Sequence, residues 1–126
     1  MTEGAGAPVR VLVVDDSASI RDMVSFTLDS AGYESHVSED GQDALEFAQD
    51  NTVRAVVTDV NMPRMDGITL IAELRKLEHY KFTPILVLTT ESGIGKKLAG
   101  KEAGATGWIV KPFDPEGLLK TIRRVL

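Results

Sequence analysis

The feature that most restricts this chain is a fivefold alternation. Short apolar runs rich in Val, Ile and Leu ("VRVLVV", "RAVVT", "PILVLT" and "GWIV", with "YESHVS" as a weaker member) are each followed by a longer segment with helical spacing of its apolar residues. Runs of this length and β-branched content suit buried strands, and strands joined through helical crossovers must lie parallel. Right-handed crossovers then cover both faces of the sheet. The fold class that follows is α/β, a three-layer doubly wound (βα)5 sandwich with a five-stranded parallel sheet.

The helices can be placed from their caps and faces. The first sets Ile20, Met23, Val24, Leu28 and Ala31 on one side, with Ser17 or Ser19 as cap and Gly32 just beyond its end. The second carries Ala44, Leu45, Phe47 and Ala48 behind Asp40, and the third carries Ile68, Ile71, Leu74 and Leu77 behind Asp66. The last has Asp114 as cap, Pro115 at its first position, and Leu118, Leu119, Ile122 and Val125 inward. The fourth is the weak one. Gly93, Gly95, Gly100 and Gly104 fall between Glu91 and Gly107, and each glycine inside a helix costs about 1 kcal/mol relative to alanine. Ile94, Leu98 and Ala103 are its expected apolar stripe.

A length of 126 residues with 43% hydrophobic and 26% charged side chains suits one soluble domain. Residues 1–8 read as a flexible lead-in and 9–126 as the folded domain, with no further output domain. The absence of cysteine removes thiolate metal sites, cysteine nucleophiles and disulfides, and fits a cytoplasmic location. No run approaches the roughly 20 apolar residues of a membrane span, so no membrane partner is expected. The net charge of −5 is uneven, acidic before residue 90 and basic after it. Neither half is basic enough to suggest nucleic acid. His36 and His79, the only histidines, lack ligand spacing and read as surface residues.

The acids are the chemical signal. Ligands of open parallel sheets bind beyond the carboxyl ends of the strands. The first strand runs into Asp15 and Asp16, and the third runs into Asp59. If these two strands are neighbours, three carboxylates converge and repel unless a cation neutralises them. Mg²⁺ suits such a set, because it takes one or two carboxylates and keeps waters together with phosphate oxygens. Thr89 ends the fourth strand and Lys111 the fifth. A hydroxyl and an ammonium beside a metal-bound carboxylate can hold a phosphoryl group, which makes Asp59 a candidate carboxylate nucleophile.

These motifs, "DD", "DVNMPRMDG", "LTTES" and "IVKPF", are where the sequence resembles the receiver domains of bacterial two-component response regulators, over essentially all of Val9 to Leu126. The resemblance is to the single-domain, CheY-like chemotaxis branch. It implies the sheet order 2-1-3-4-5 and phosphorylation at Asp59. It further implies Mg²⁺ held by Asp16 directly, by Asp15 through water, by Asp59 and by the main-chain carbonyl of Asn61. Thr89 and Lys111 would contact the phosphoryl group, and the Lys111–Pro112 bond would be cis. Asn61 and Glu91 would line the mouth of the site and set how long the phosphoryl group survives. The family couples its threonine to a tyrosine or phenylalanine on strand 5, and here that position holds Trp108, whose ring N–H needs a partner if buried.

By the same resemblance, the phosphodonor would be a histidine kinase of the CheA kind. The target would be a flagellar switch protein of the FliM kind, docked on the face of helix 4, strand 5 and helix 5, where Lys96, Lys97, Lys101, Lys120, Arg123 and Arg124 gather. The chain would act as a monomer and would be no enzyme beyond promoting its own phosphorylation and dephosphorylation. A phosphate sink or relay carrier that never engages a motor is the alternative function at the same site. A dehalogenase-type phosphatase would want D-x-D after strand 1, whereas Asp15 and Asp16 are adjacent. A flavodoxin would want a hydroxyl-rich phosphate loop there, and two acids would repel the flavin phosphate.

Overall fold

The computed structural model describes residues 8–126; the lead-in read over 1–8 lies outside the described residues except for Pro8. Five strands, β1 (Arg10–Val14), β2 (Glu34–Ser38), β3 (Ala55–Thr58), β4 (Ile85–Thr89) and β5 (Gly107–Val110), form one sheet in the order β2-β1-β3-β4-β5. Every neighbouring pair is parallel. Between and after them run α1 (Ala18–Ser30), α2 (Gly41–Asp50), α3 (Gly67–Arg75), α4 (Ile94–Ala103) and α5 (Pro115–Val125), with a 3₁₀ turn at Glu78–Tyr80 before β4.

The strand period of two divides the core into two layers. Leu12, Val14, Val56, Ile85 and Val87 face α2 and α3 and pack with Ala44, Ala48, Leu70, Ile71 and Leu74. Val11, Val13, Ala55, Val57, Leu86 and Leu88 face the other way, against Val24 and Leu28 of α1 and Leu118 and Ile122 of α5. Each of the fully buried Val, Leu and Ile side chains contributes on the order of 1.5–3 kcal/mol of transfer free energy. The middle strands, covered on both sides, need the near-continuous apolar runs that the sequence supplies.

Side-chain caps start four of the five helices. Ser17, Asp40, Asp66 and Asp114 accept from Ile20 N, Asp43 N, Thr69 N and Gly117 N respectively. Ser17, not Ser19, is therefore the α1 cap. The expected faces need three corrections, the smallest being that Leu77 lies past the end of α3, although it still packs on the core. On α1, Met23 is 52% exposed and Ala31 lies past the helix as its exposed C-cap, while Thr27 is buried beside Val24 and Leu28. On α4, Ile94 is 77% and Leu98 55% exposed, and only Ala103 of the expected stripe packs on the core. On α1 the buried face is turned toward Thr27 and away from Met23, and α4 sits near the sheet's edge strand, where among the described residues part of its apolar stripe stays uncovered.

Gly93, the N-cap of α4, offers no side chain, and the C-terminal end of that helix is secured from elsewhere. Arg75 donates from Nε and Nη2 to the Gly104 carbonyl at 3.2 and 2.8 Å, and from Nη1 to those of Tyr80 and Thr83 at 2.7 Å each. One guanidinium thus joins the end of α3, the loop before β4 and the cap of α4. Of the histidines, His79 is exposed, but His36 is half-buried with its ring stacked on Phe47, centroids 3.7 Å apart. That contact corrects the reading of His36 as a surface residue.

Candidate functional site

The order of the sheet decides what meets at its carboxyl edge. Because β1 lies between β2 and β3, the residues after Val14 and after Thr58 are neighbours, and Asp59 N–H donates to the Val14 carbonyl at 2.9 Å. Oxygen atoms of Asp15, Asp16 and Asp59 lie within 4.8 Å of one another. Asp15 and Asp59 are buried, at 3% and 8% exposure, whereas Asp16 faces solvent.

Lys111, from the end of β5, reaches across this cluster. Its Nζ lies 2.8 Å from Asp15 Oδ2 and 3.1 Å from Asp59 Oδ2. Burial works against the lysine's charge, but hydrogen bonds and attraction from Asp15 and Asp59 outweigh it and hold the pKa above the ordinary lysine value. For Asp15 burial is the largest influence and raises the carboxyl pKa, in spite of the Lys111 contact and the Ser17 N–H at 3.0 Å. One ammonium thus faces three carboxylates, a donor set of hard oxygens with a negative excess that fits a divalent cation such as Mg²⁺.

The backbone around Asp59 is tightly held. Its Oδ1 accepts from Val60 N–H at 2.6 Å. Gly67 N–H donates to the Val60 carbonyl at 2.8 Å, and any side chain at Gly67 would run into the Asp59 carbonyl oxygen, so only glycine lets α3 begin this close to the site. On the opposite flank, Lys111 N–H donates to the Thr89 carbonyl at 2.8 Å, and the Lys111–Pro112 peptide is cis.

Thr89, fully buried at the end of β4, begins a second set of contacts. Its Oγ1 accepts from Glu91 N–H at 3.3 Å, the Glu91 carbonyl accepts from Trp108 Nε1 at 2.9 Å, and Glu91 Oε2 accepts from Asn61 Nδ2 at 2.9 Å. The indole N–H therefore has its partner. Asp15, Asp16, Asp59 and Lys111 converge from three strand ends, while Thr89 meets them only through its backbone bond to Lys111 and turns its hydroxyl to Glu91, which with Asn61 and Trp108 forms a linked set of contacts. Two arginines without a sequence signal also act here: Arg21 Nη1 donates to the Asp15 carbonyl at 2.7 Å, and Arg64 grips the carboxylate of Asp40, which is more than a helix cap. Arg21 stands on the same turn-and-helix as Ser17, but no spacing rule singles out such a contact.

A family model described as "Response regulator receiver domain" matches residues 11–123. The chain belongs to this family. As a receiver, it is similar to the response regulator MprA of Mycobacterium sp. (strain KMS), 40% identical over 119 residues that cover 94% of this chain and 51% of MprA. It thus spans about half the length of that relative. Among solved structures, the receiver resembles the chemotaxis protein CheY4 of Vibrio cholerae with 55% identity and a TM-score of 0.91, covering 95% of this chain and 100% of that one. It also resembles the receiver domain of the sensor histidine kinase PA1611 from Pseudomonas aeruginosa, solved with magnesium coordinated in its active-site cleft, at 27% identity and a TM-score of 0.87, covering 94% and 97% of the two chains.

Proposed function

We propose that this receiver accepts a phosphoryl group on Asp59 from the phosphohistidine of a partner kinase and signals by changing which protein it binds. The observation that carries the reading is the Asp59 carboxylate itself, nearly buried at a strand end, with Lys111 on one oxygen and two further carboxylates within 4.8 Å. In the transfer, a carboxylate oxygen of Asp59 bonds to phosphorus as the donor's P–N bond breaks, and the imidazole leaves with the electron pair. Lys111 offsets charge on the phosphoryl oxygens, and the Thr89 hydroxyl turns to donate a hydrogen bond to one of them. The side chains of Asp15, Asp16 and Asp59 and the carbonyl of Asn61 would hold Mg²⁺, as the magnesium in the PA1611 receiver suggests. When bound, that ion supplies the positive charge that lets the acids and the phosphoryl group share one crevice.

Recruiting Thr89 draws its hydroxyl from Glu91 N–H, and Glu91 in turn carries Trp108 on its carbonyl. The phosphorylated state thus disturbs the loop before α4 and the indole on β5, a two-state element at the edge of the sheet. The face beyond it presents Ile94 and Leu98 in the open together with exposed Lys96, Lys97, Lys101, Lys120, Arg123 and Arg124. Apolar and basic groups side by side suit an acidic amphipathic segment. With the whole of CheY4 matched at 55% identity, we infer a chemotaxis role, with a CheA-like kinase, a FliM-like target and action as a cytoplasmic monomer.

Incubation with acetyl phosphate and Mg²⁺ should label the protein at Asp59 and change Trp108 fluorescence. Full labelling of Asp59→Asn would defeat the assignment. Pull-downs with and without the phosphodonor separate a motor regulator, whose target binding depends on phosphate, from a sink that engages the kinase alone.

A further inference from the structure

The segment between β3 and α3 carries one backbone oddity that the proposed chemistry does not use. Arg64 has φ +66°, the left-handed region, and is the only non-glycine residue with positive φ among the described residues. A side chain there is unfavourable, and glycine or asparagine is the usual occupant. The arginine is held by what its side chain does. Nε donates to Asp40 Oδ2 at 2.9 Å and Nη2 to Asp40 Oδ1 at 3.2 Å, a two-pronged pair on a carboxylate whose residue is only 4% exposed. The guanidinium hydrogen bonds, the largest influence, keep Asp40 below the usual carboxylate range.

A second observation shows that the segment is docked rather than merely close. Gly41 N–H donates to the Met65 carbonyl at 3.1 Å, and a Cβ at Gly41 would lie 2.8 Å from Met65 Cβ. Asp40 also caps α2 through Asp43 N–H at 2.8 Å. The start of α2 is therefore a fixed seat for Arg64 and Met65, while Gly67 ties the far end of the segment to Val60 at 2.8 Å. Between these two anchors only Asn61, Met62 and Pro63 remain, and Asn61 directly follows the tied Val60.

We propose that Arg64 and Asp40 form a positioning pair for the cation site: by fixing the segment after Asp59, they hold the Asn61 main chain where it can serve the ion. This rests on the reading of Asp15, Asp16, Asp59 and Asn61 as the magnesium site. Neither residue touches the ion or the phosphoryl group. Both act through the loop.

The test compares Arg64→Gly, which relieves the backbone and removes the pair, Arg64→Lys, which keeps charge without the fork, and Asp40→Asn, which keeps the helix cap and weakens the pair. Mg²⁺ binding is followed by calorimetry and by Trp108 fluorescence with no phosphodonor present. Acetyl phosphate labelling is then measured across Mg²⁺ concentrations. Arg64→Gly is expected to weaken Mg²⁺ binding on the order of tenfold, the low end for loss of groups that support metal ligands. Its half-saturating Mg²⁺ for labelling should rise by a similar factor, more than the saturated rate falls. Arg64→Lys and Asp40→Asn should lie between it and the unaltered protein. Unchanged Mg²⁺ affinity in both Arg64→Gly and Asp40→Asn, with the unaltered protein binding the ion and labelling normally, overturns the pair's role. Failure of the unaltered protein to bind Mg²⁺ overturns the underlying site reading instead, so the two failures are distinct.

Discussion

Gly100 offers a quantitative test of how Trp108 is seated. Placed inside α4, it should gain about 0.8–1.0 kcal/mol on replacement by alanine from helix propensity alone. A methyl group there, however, would lie 2.7 Å from Cζ3 and 3.3 Å from Cε3 of the indole. Carbon atoms rest about 3.5–4.0 Å apart, so the ring must withdraw by roughly 1 Å. It is tied by Nε1 to the Glu91 carbonyl at 2.9 Å, and a shift of that size takes the bond beyond useful range. The lost hydrogen bond costs about 0.5–1.5 kcal/mol. The two effects nearly cancel, and Gly100→Ala should change stability by less than about 0.5 kcal/mol while freeing the indole.

Gly95→Ala is the control, because nothing lies within 4 Å of the added methyl. It should stabilise by up to about 1 kcal/mol, or roughly 3–5 °C in Tm for a chain of this size. Urea titrations give the stabilities. Trp108 is the single tryptophan, so its emission and its quenching by iodide report the ring directly. Gly100→Ala should be red-shifted and more readily quenched, and Gly95→Ala should match the unaltered protein. If Gly100→Ala instead gains as much stability as Gly95→Ala with emission unchanged, then the ring is neither confined by α4 nor held by Glu91, and the reasoning fails.

Two further outcomes follow from buried groups. Tyr80, whose hydroxyl donates to the Asn51 carbonyl at 2.6 Å, has its pKa pushed up by burial to about 12. Its folded value is above the ordinary 10.0, so its contribution is complete below pH 10 and is lost as pH rises toward 12. Tyr80→Phe should flatten that alkaline decline in urea-unfolding stability and cost about 1 kcal/mol at neutral pH. Lys111→Met leaves Asp15 and Asp59 without their ammonium. Without added metal it should lose up to about 3 kcal/mol in denaturant titration, the low end for breaking a buried pair, since water reaches this site. Added Mg²⁺ should restore more stability to this variant than to the unaltered protein, and an equal or smaller gain would contradict the charge balance described.

Much of this was legible because the relevant interactions are local or periodic. Caps such as Asp66 and Asp114 sit at fixed offsets from the helices they start, and the buried strands announce themselves by continuous Val, Ile and Leu. The meeting of Asp15 with Asp59 required the sheet order, which came from the family resemblance. What stayed hidden depends on partners remote in sequence. Periodicity puts Ile94 and Leu98 on one stripe of α4 but cannot say that both stand exposed among the described residues. The grip of Arg64 on Asp40 spans 24 positions, and that of Arg75 on Gly104 spans 29; both arginines look like ordinary surface charges until the chain is folded.

That last guanidinium also governs how α4 can move. The helix is moored at its tail, where Arg75 clasps Gly104, and loose at its head, where Gly93 supplies no side chain and Ile94 stands in solvent. A rearrangement that began at Thr89 would enter at this end, with the Arg75 clasp on Gly104 as its fixed point. Displacement would then be greatest beside the loop after Thr89 and smallest where Arg75 ties the helix to the end of α3.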